Sequence, residues 1–150
     1  MKEKKIISLP PNYFYAGIIF IIVVYFCFPS LQIIRFPYNL FGLIPSLAGF
    51  SLVIWPAYVF RKHNTPENFD PATCLVYGGV YCYSRNPMYL GGVICLAGLA
   101  LCSGNLLSFI SPLVFFVFMQ WMFIPHEEAR LTEIFGKEYQ EYKARVRRWL

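Results

Sequence analysis

Glu127 and Glu128 form an acidic pair directly after a long uncharged apolar run and ahead of a basic tail. Acidic side chains at the inner surface of a membrane oppose the local lipid potential, so they need a partner. Ion pairing with a nearby Arg, such as Arg130 or Arg85, is one answer. A ligand cation is the other, an ammonium or a sulfonium, for which Tyr81, Tyr83, Tyr89 and Trp121 supply aromatic faces near the same boundary. The stretch 78–92, GGVYCYSRNPMYLGG, offers the opposite sign. Pro87 suits the first turn of a helix and disfavours helix at Asn86, so Asn86 reads as an N-cap and Met88 onward as a helix. Unpaired backbone N–H groups and the positive end of that helix, beside Arg85, make a ready site for a carboxylate. A capped helix with Arg85 reaching to the surface is the plain structural alternative.

The elements that must carry these residues are set by an unusual charge distribution. Only 14% of the 150 residues are charged and 57% are hydrophobic, against roughly 25% charged in an average soluble domain. Arg35 is the sole charged residue between Ile6 and Phe60, and none lies from Asn86 to His126. A spanning helix needs about 20 mainly apolar residues. The sequence therefore predicts an all-α integral membrane protein with four transmembrane helices over about 13–34, 40–60, 88–102 and 106–124, forming one domain over 1–150. Ser103-Gly104-Asn105 is the turn that divides the long uncharged stretch into a hairpin, whose first arm is short. The first apolar run is followed by no small-residue cleavage site and is expected to stay as a helix rather than leave as a signal peptide.

Lys2, Lys4 and Lys5 before the first span, Arg61, Lys62 and Arg85 between the second and third, and the basic tail all mark one side. By the positive-inside rule that side is cytoplasmic, with both termini inside. The loop 61–87 and the tail 125–150 are then where water-dependent chemistry belongs. In the tail, Leu131, Ile134, Phe135, Tyr139, Tyr142, Val146 and Trp149 recur at steps of three and four residues, with Arg130, Glu133, Lys137, Glu141, Lys143 and Arg148 on other faces. This pattern is a C-terminal cytoplasmic amphipathic helix, broken at Gly136 and suited to lying on anionic lipid. The five cysteines show no CxxC pair, and the two histidines, His63 and His126, stand far apart, so no metal site is expected. The basic residues flank apolar spans rather than lining one polar face, which argues against nucleic acid.

Several segments together resemble the isoprenylcysteine carboxyl methyltransferase and phospholipid methyltransferase superfamily. They are Gly79-Val80-Tyr81, Arg85-Asn86-Pro87-Met88-Tyr89-Leu90-Gly91, Glu127-Glu128, Phe135-Gly136-Lys137-Glu138-Tyr139-Gln140-Glu141-Tyr142 and Arg145-Val146-Arg147-Arg148-Trp149, in that order over about 73–150. The resemblance implies S-adenosylmethionine as methyl donor at the cytoplasmic face. It places Leu75, Val76 and Tyr81 along the adenosyl side, Asn86, Pro87, Met88 and Tyr89 at the methionine part, and Glu127 on its ammonium. Arg85 and Glu128 are the side chains expected to orient substrate or cofactor. Two departures stand out: Asn86 replaces the more usual His and cannot accept a proton, and Met122, Phe123 and Ile124 are apolar where prenylcysteine-specific members resemble one another in carrying an Arg.

The expected activity is methyl transfer to an amphiphilic or lipid-like acceptor, with membrane lipid as the surrounding partner. Gly136 is expected to hinge the tail over the site, and Gly91, Gly92 and Gly98 to leave a groove for the acceptor's tail. An NADPH-dependent lipid or sterol reductase and a non-enzymatic membrane protein are the alternatives.

Overall fold

The computed structural model describes residues 10–62, 75 and 78–150. Among these the chain is helical throughout, with one isolated antiparallel bridge between Gln32 and Asn105. The helices are α1 (Pro10–Cys27), α2 (Leu43–Lys62), α3 (Pro87–Ser103), α4 (Ile110–Phe118), α5 (Ile124–Phe135) and α6 (Lys137–Arg145). Three stretches are long and apolar enough to cross a membrane: Pro10–Cys27, Tyr38–Trp55 and the continuous Leu106–Phe135, while α3 is apolar but only 17 residues long. At 1.5 Å per residue α3 measures about 25 Å, short of a hydrocarbon core of roughly 30 Å. It sits at the centre instead, with Leu96 and Ala100 fully enclosed by α1, α2 and α4. Ile19, Ile22 and Phe26 on α1 and Leu47, Phe50 and Ile54 on α2 are exposed. A surface of that kind is covered by lipid, not water.

Two boundaries differ from expectation. The first helix ends at Cys27 and not near residue 34, because Pro29 lacks an N–H and disfavours helix at the residue before it. The chain instead turns, and the Ile33 and Ile34 amides donate to the Gly104 carbonyl at 2.8 and 3.1 Å, tying this end to the α3–α4 turn. The last long helix does not stop at 124 but runs to Phe135. A π turn over Met119–Phe123, in which the Ile124 amide reaches back to the Met119 carbonyl, breaks the ordinary register just where Pro125 would lack a donor. At about 45 Å the helix outreaches the hydrocarbon core, so its last turns, with Glu127 and Glu128, stand beyond the apolar run.

The third-span glycines leave no lipid groove. A Cβ on Gly91 would strike the Gly49 carbonyl and the Leu52 side chain, and one on Gly98 would strike the Ser46 amide, so both seat α3 backbone-to-backbone on α2. Gly92 lies beneath the Phe115 ring of α4. An open apolar groove of about 300 Å³ lies instead between α1 and α4, lined by Tyr13, Gly17, Phe20, Ser111, Val114 and Phe118 among others.

Candidate functional site

The entrance to α3 is built by three residues that point in different directions. Pro87 is the buried first residue of the helix, and Asn86 holds the N-cap position. Contrary to expectation, the Asn86 side chain does not cap the helix. Its Nδ2 donates to the Arg148 carbonyl at 3.2 Å, and its backbone N–H donates to Ser84 Oγ at 3.2 Å. The Arg85 amide donates to the Arg147 carbonyl at 3.0 Å. The first-turn N–H groups of α3 are therefore left without a side-chain cap, with the positive end of the helix behind them.

Neighbouring residues on a helix point about 100° apart, and the two glutamates have separate fates. Glu127 accepts the Tyr89 hydroxyl hydrogen at 2.9 Å, which joins the first turn of α5 to the first turn of α3. Glu128, 7% exposed at its side chain, is held by cations. Arg148 grips it at two points, Nε to Oε1 at 3.1 Å and Nη2 to Oε2 at 2.8 Å. Lys143 Nζ lies 3.3 Å from Oε2 and Arg85 Nη1 lies 3.1 Å from Oε1. The Arg85 contact is ionic without hydrogen-bond alignment, and Arg85 Nε has no partner among the described residues. The two readings open for the acidic pair thus divide: Glu128 is an ion-paired junction, whereas the hydrogen-bond partner of Glu127 is a neutral phenol.

Tyrosines wall the space around them. Tyr81 is buried, its carbonyl accepts from the Tyr142 hydroxyl at 2.8 Å, and burial, with Tyr142 and Glu127 nearby, pushes its phenol up so that it stays protonated. Burial and the Glu128 carboxylate likewise push the Tyr139 phenol up, against the pull of the Arg85 guanidinium. On the tail's apolar side Tyr139, Tyr142 and Trp149 are turned to protein, while Ile134 of the same stripe stays exposed.

Of the residues singled out from the sequence, the structure brings Arg85 to Glu128 and Tyr89 to Glu127, with Tyr81 close by. Met88 is exposed, Leu75 is half-buried, and Val76 lies outside the described residues. Sequence reasoning missed Arg148, which the tail pattern assigned to a solvated face, and with it Lys143 and Trp149 as parts of the same assembly. The signal available was a lone acidic pair facing a tail rich in cations.

The phospholipid methyltransferase family model matches residues 37–138. Protein-S-isoprenylcysteine O-methyltransferase of Saccharomyces cerevisiae is 36% identical over 135 residues, covering 81% of this chain and 54% of that protein. The protein of the same name from Schizosaccharomyces pombe is 38% identical over 76 residues, covering 48% of this chain and 30% of its own. A solved eukaryotic intramembrane Ras methyltransferase, an isoprenylcysteine carboxyl methyltransferase, superposes with a TM-score of 0.69 at 23% identity over 97% of this chain and 54% of that one, a likeness of fold. The chain spans about half the length of the budding-yeast relative and of the solved structure. Since the matched stretch runs from the turn before α2 through both glutamates into α6, the chain belongs to the phospholipid methyltransferase family.

Proposed function

We propose that the chain is an S-adenosylmethionine-dependent methyltransferase acting on an amphiphilic acceptor at the cytoplasmic face of a membrane. It forms one domain over 1–150 that crosses the membrane four times, with α3 as a short crossing shielded by its neighbours and both termini cytoplasmic. The observation that carries this reading is the division of labour between the glutamates: Arg85, Lys143 and Arg148 gather on Glu128, while Glu127 is hydrogen-bonded to a neutral hydroxyl beside the uncapped start of α3, with Arg130 near enough to act on its charge.

That arrangement fits both ends of an amino-acid group. The free N–H donors at Met88 and Tyr89 suit a carboxylate, and Glu127 suits an ammonium, its carboxylate held in place by Tyr89. Tyr81 and Tyr89 offer π faces to a sulfonium, and Leu75 and Val76 complete the adenosyl side. Asn86 and Pro87 shape the approach through the backbone. When bound, S-adenosylmethionine supplies an electrophilic methyl group on sulfur. The protein's part is to align it with the acceptor's nucleophile and keep water out, with no base required at Asn86. Arg85, anchored by Glu128, presents its unpartnered Nε edge to orient substrate or cofactor. Phe123 and Ile124, buried one turn before the glutamates, put apolar surface where a carboxylate-bearing acceptor would need a cation.

The test is direct. Purified protein in detergent should show a rise in melting temperature with S-adenosylhomocysteine and none with NADPH. Cells fed isotopically labelled methionine should carry a labelled lipid only when the protein is present. No thermal or calorimetric response to either S-adenosyl compound overturns the proposal.

A further inference from the structure

We propose that the last turn of chain, Val146–Trp149, is a positioning strap that sets the start of α3 against Glu127. The proposal rests on the reading that this face holds the methyl donor, and it assigns a role to a segment that lies past the 37–138 stretch matched by the family model.

After α6 ends at Arg145, Val146 turns extended, and the chain runs back alongside residues 84–86. Three hydrogen bonds join the two: the Arg85 amide to the Arg147 carbonyl at 3.0 Å, and Asn86 Nδ2 and Ser84 Oγ to the Arg148 carbonyl at 3.2 and 3.4 Å. The Arg148 side chain then spans to α5 with its two-point grip on Glu128. Trp149 fastens the end. Its indole Nε1 donates to Gln120 Oε1 at 2.7 Å, and its ring lies 4.9 Å from that of Phe116, on the helix that leads to the glutamates. One short segment therefore contacts both halves of the site.

This accounts for an oddity at the α3 entrance. An Asn at an N-cap ordinarily accepts from the first-turn amides, whereas Asn86 is drawn away to a tail carbonyl and leaves those amides open. Local bonds hold part of residues 84–86, the Ser84 amide donating to the Val80 carbonyl and the Asn86 amide to Ser84 Oγ, but the bonds of the Arg85 amide and the Asn86 side chain come from the tail. The strap supplies these, and it ties residues 84–86 to the element that carries Glu127. Arg148 is a positioning residue in this scheme, since it acts on the site through Glu128 and Asn86. A Lys there would keep the charge but lose the planar two-point contact.

The test compares wild type with Arg148→Lys, Trp149→Phe and Trp149→Ala in detergent. It reads melting temperature, amide hydrogen exchange over residues 84–90 and S-adenosylhomocysteine affinity. In Arg148→Lys and Trp149→Ala the Arg85 amide should exchange at least ten times faster and affinity should fall about tenfold, while exchange in the centre of α3 stays unchanged. Trp149→Phe, which keeps the ring on Phe116 and loses the donor, should fall between. Unchanged Arg85 exchange overturns the strap. Faster exchange with unchanged affinity overturns its role at the donor site. Should Trp149→Ala fail to fold, Arg148→Lys and Trp149→Phe carry the same comparison. A wild-type protein that binds no S-adenosylhomocysteine overturns the functional reading and the strap's part in it, while the exchange measurement still decides whether the segment fixes the α3 entrance.

Discussion

Two identical side chains in succession, Glu127 and Glu128, are expected to give opposite phenotypes. Glu127→Gln keeps the shape and the Tyr89 contact while removing the charge that would meet an ammonium. It should lower S-adenosylhomocysteine affinity at least tenfold with little change in melting temperature, by calorimetric titration and thermal unfolding in detergent. Glu128→Ala removes the common partner of Arg85, Arg148 and Lys143. With the Arg85 side chain only 9% exposed, that leaves its charge uncompensated inside the protein, while Arg148 and Lys143 keep access to water. Breaking a buried pair in this way costs about 3–5 kcal/mol, so this variant should unfold at a lower temperature before any effect on binding is read. Equal stability of the two variants would count against the division of roles. Tyr89→Phe, which frees Glu127 of its hydroxyl, should reduce affinity only a few-fold, the size of one hydrogen bond of roughly 1 kcal/mol.

At the scale of elements, the contact of α2 with α3 is the rigid part of the molecule. Gly98 meets the backbone of α2 with no room for a Cβ, and the atoms it would strike belong to the main chain of Gly42 and Ser46 as well as a short side chain. Gly98→Val must push the helices apart, and overpacking of this kind costs about 1–3 kcal/mol. A lower melting temperature is expected, with donor affinity retained below the new transition, because the seam lies away from Glu127. Loss of affinity without loss of stability would mean that Gly98 belongs to the site after all. Gly92→Leu would collide with Phe115 and is now expected to behave as a packing variant, where the sequence pattern suggested a groove. The break at Gly136 did appear as expected, separating α5 from α6. Ending the chain after Gly136 removes Tyr142, Lys143 and Arg148 together, and should abolish donor binding while circular dichroism still shows the apolar helices.

For the whole molecule the prediction is that the cytoplasmic face of the membrane holds the site. Cys82 is exposed in the short turn over Gly79–Cys82 that leads into the α3 entrance. In a variant whose other cysteines are replaced by Ala, a membrane-impermeant maleimide should label Cys82 in inside-out vesicles and leave it unlabelled in right-side-out ones. The reverse result would overturn the cytoplasmic placement, and labelling from both sides would show a mixed orientation.

Composition and charge spacing alone determined that this is an all-helical membrane protein, since lipid tolerates backbone only when its own hydrogen bonds are closed and leaves little choice of architecture. The prolines and glycines that end or break helices were also legible. Pro29 was seen near the end of the first helix, and Gly104 and Gly136 fell at real boundaries. An ion pair of one of the two glutamates with Arg85 was among the readings left open, because charges stranded at an apolar boundary must find partners, and Glu128 is the one that makes it. What the sequence could not settle was which glutamate took which partner. That depends on the rotation of α5 after the π turn, and one residue of register moves a side chain by about 100°. The strap was equally hidden. Arg148 and Trp149 look like any basic, amphipathic tail until the chain folds back more than 60 residues in sequence onto Ser84–Asn86. Local periodicity carries no record of such a contact, and only tertiary packing decides it.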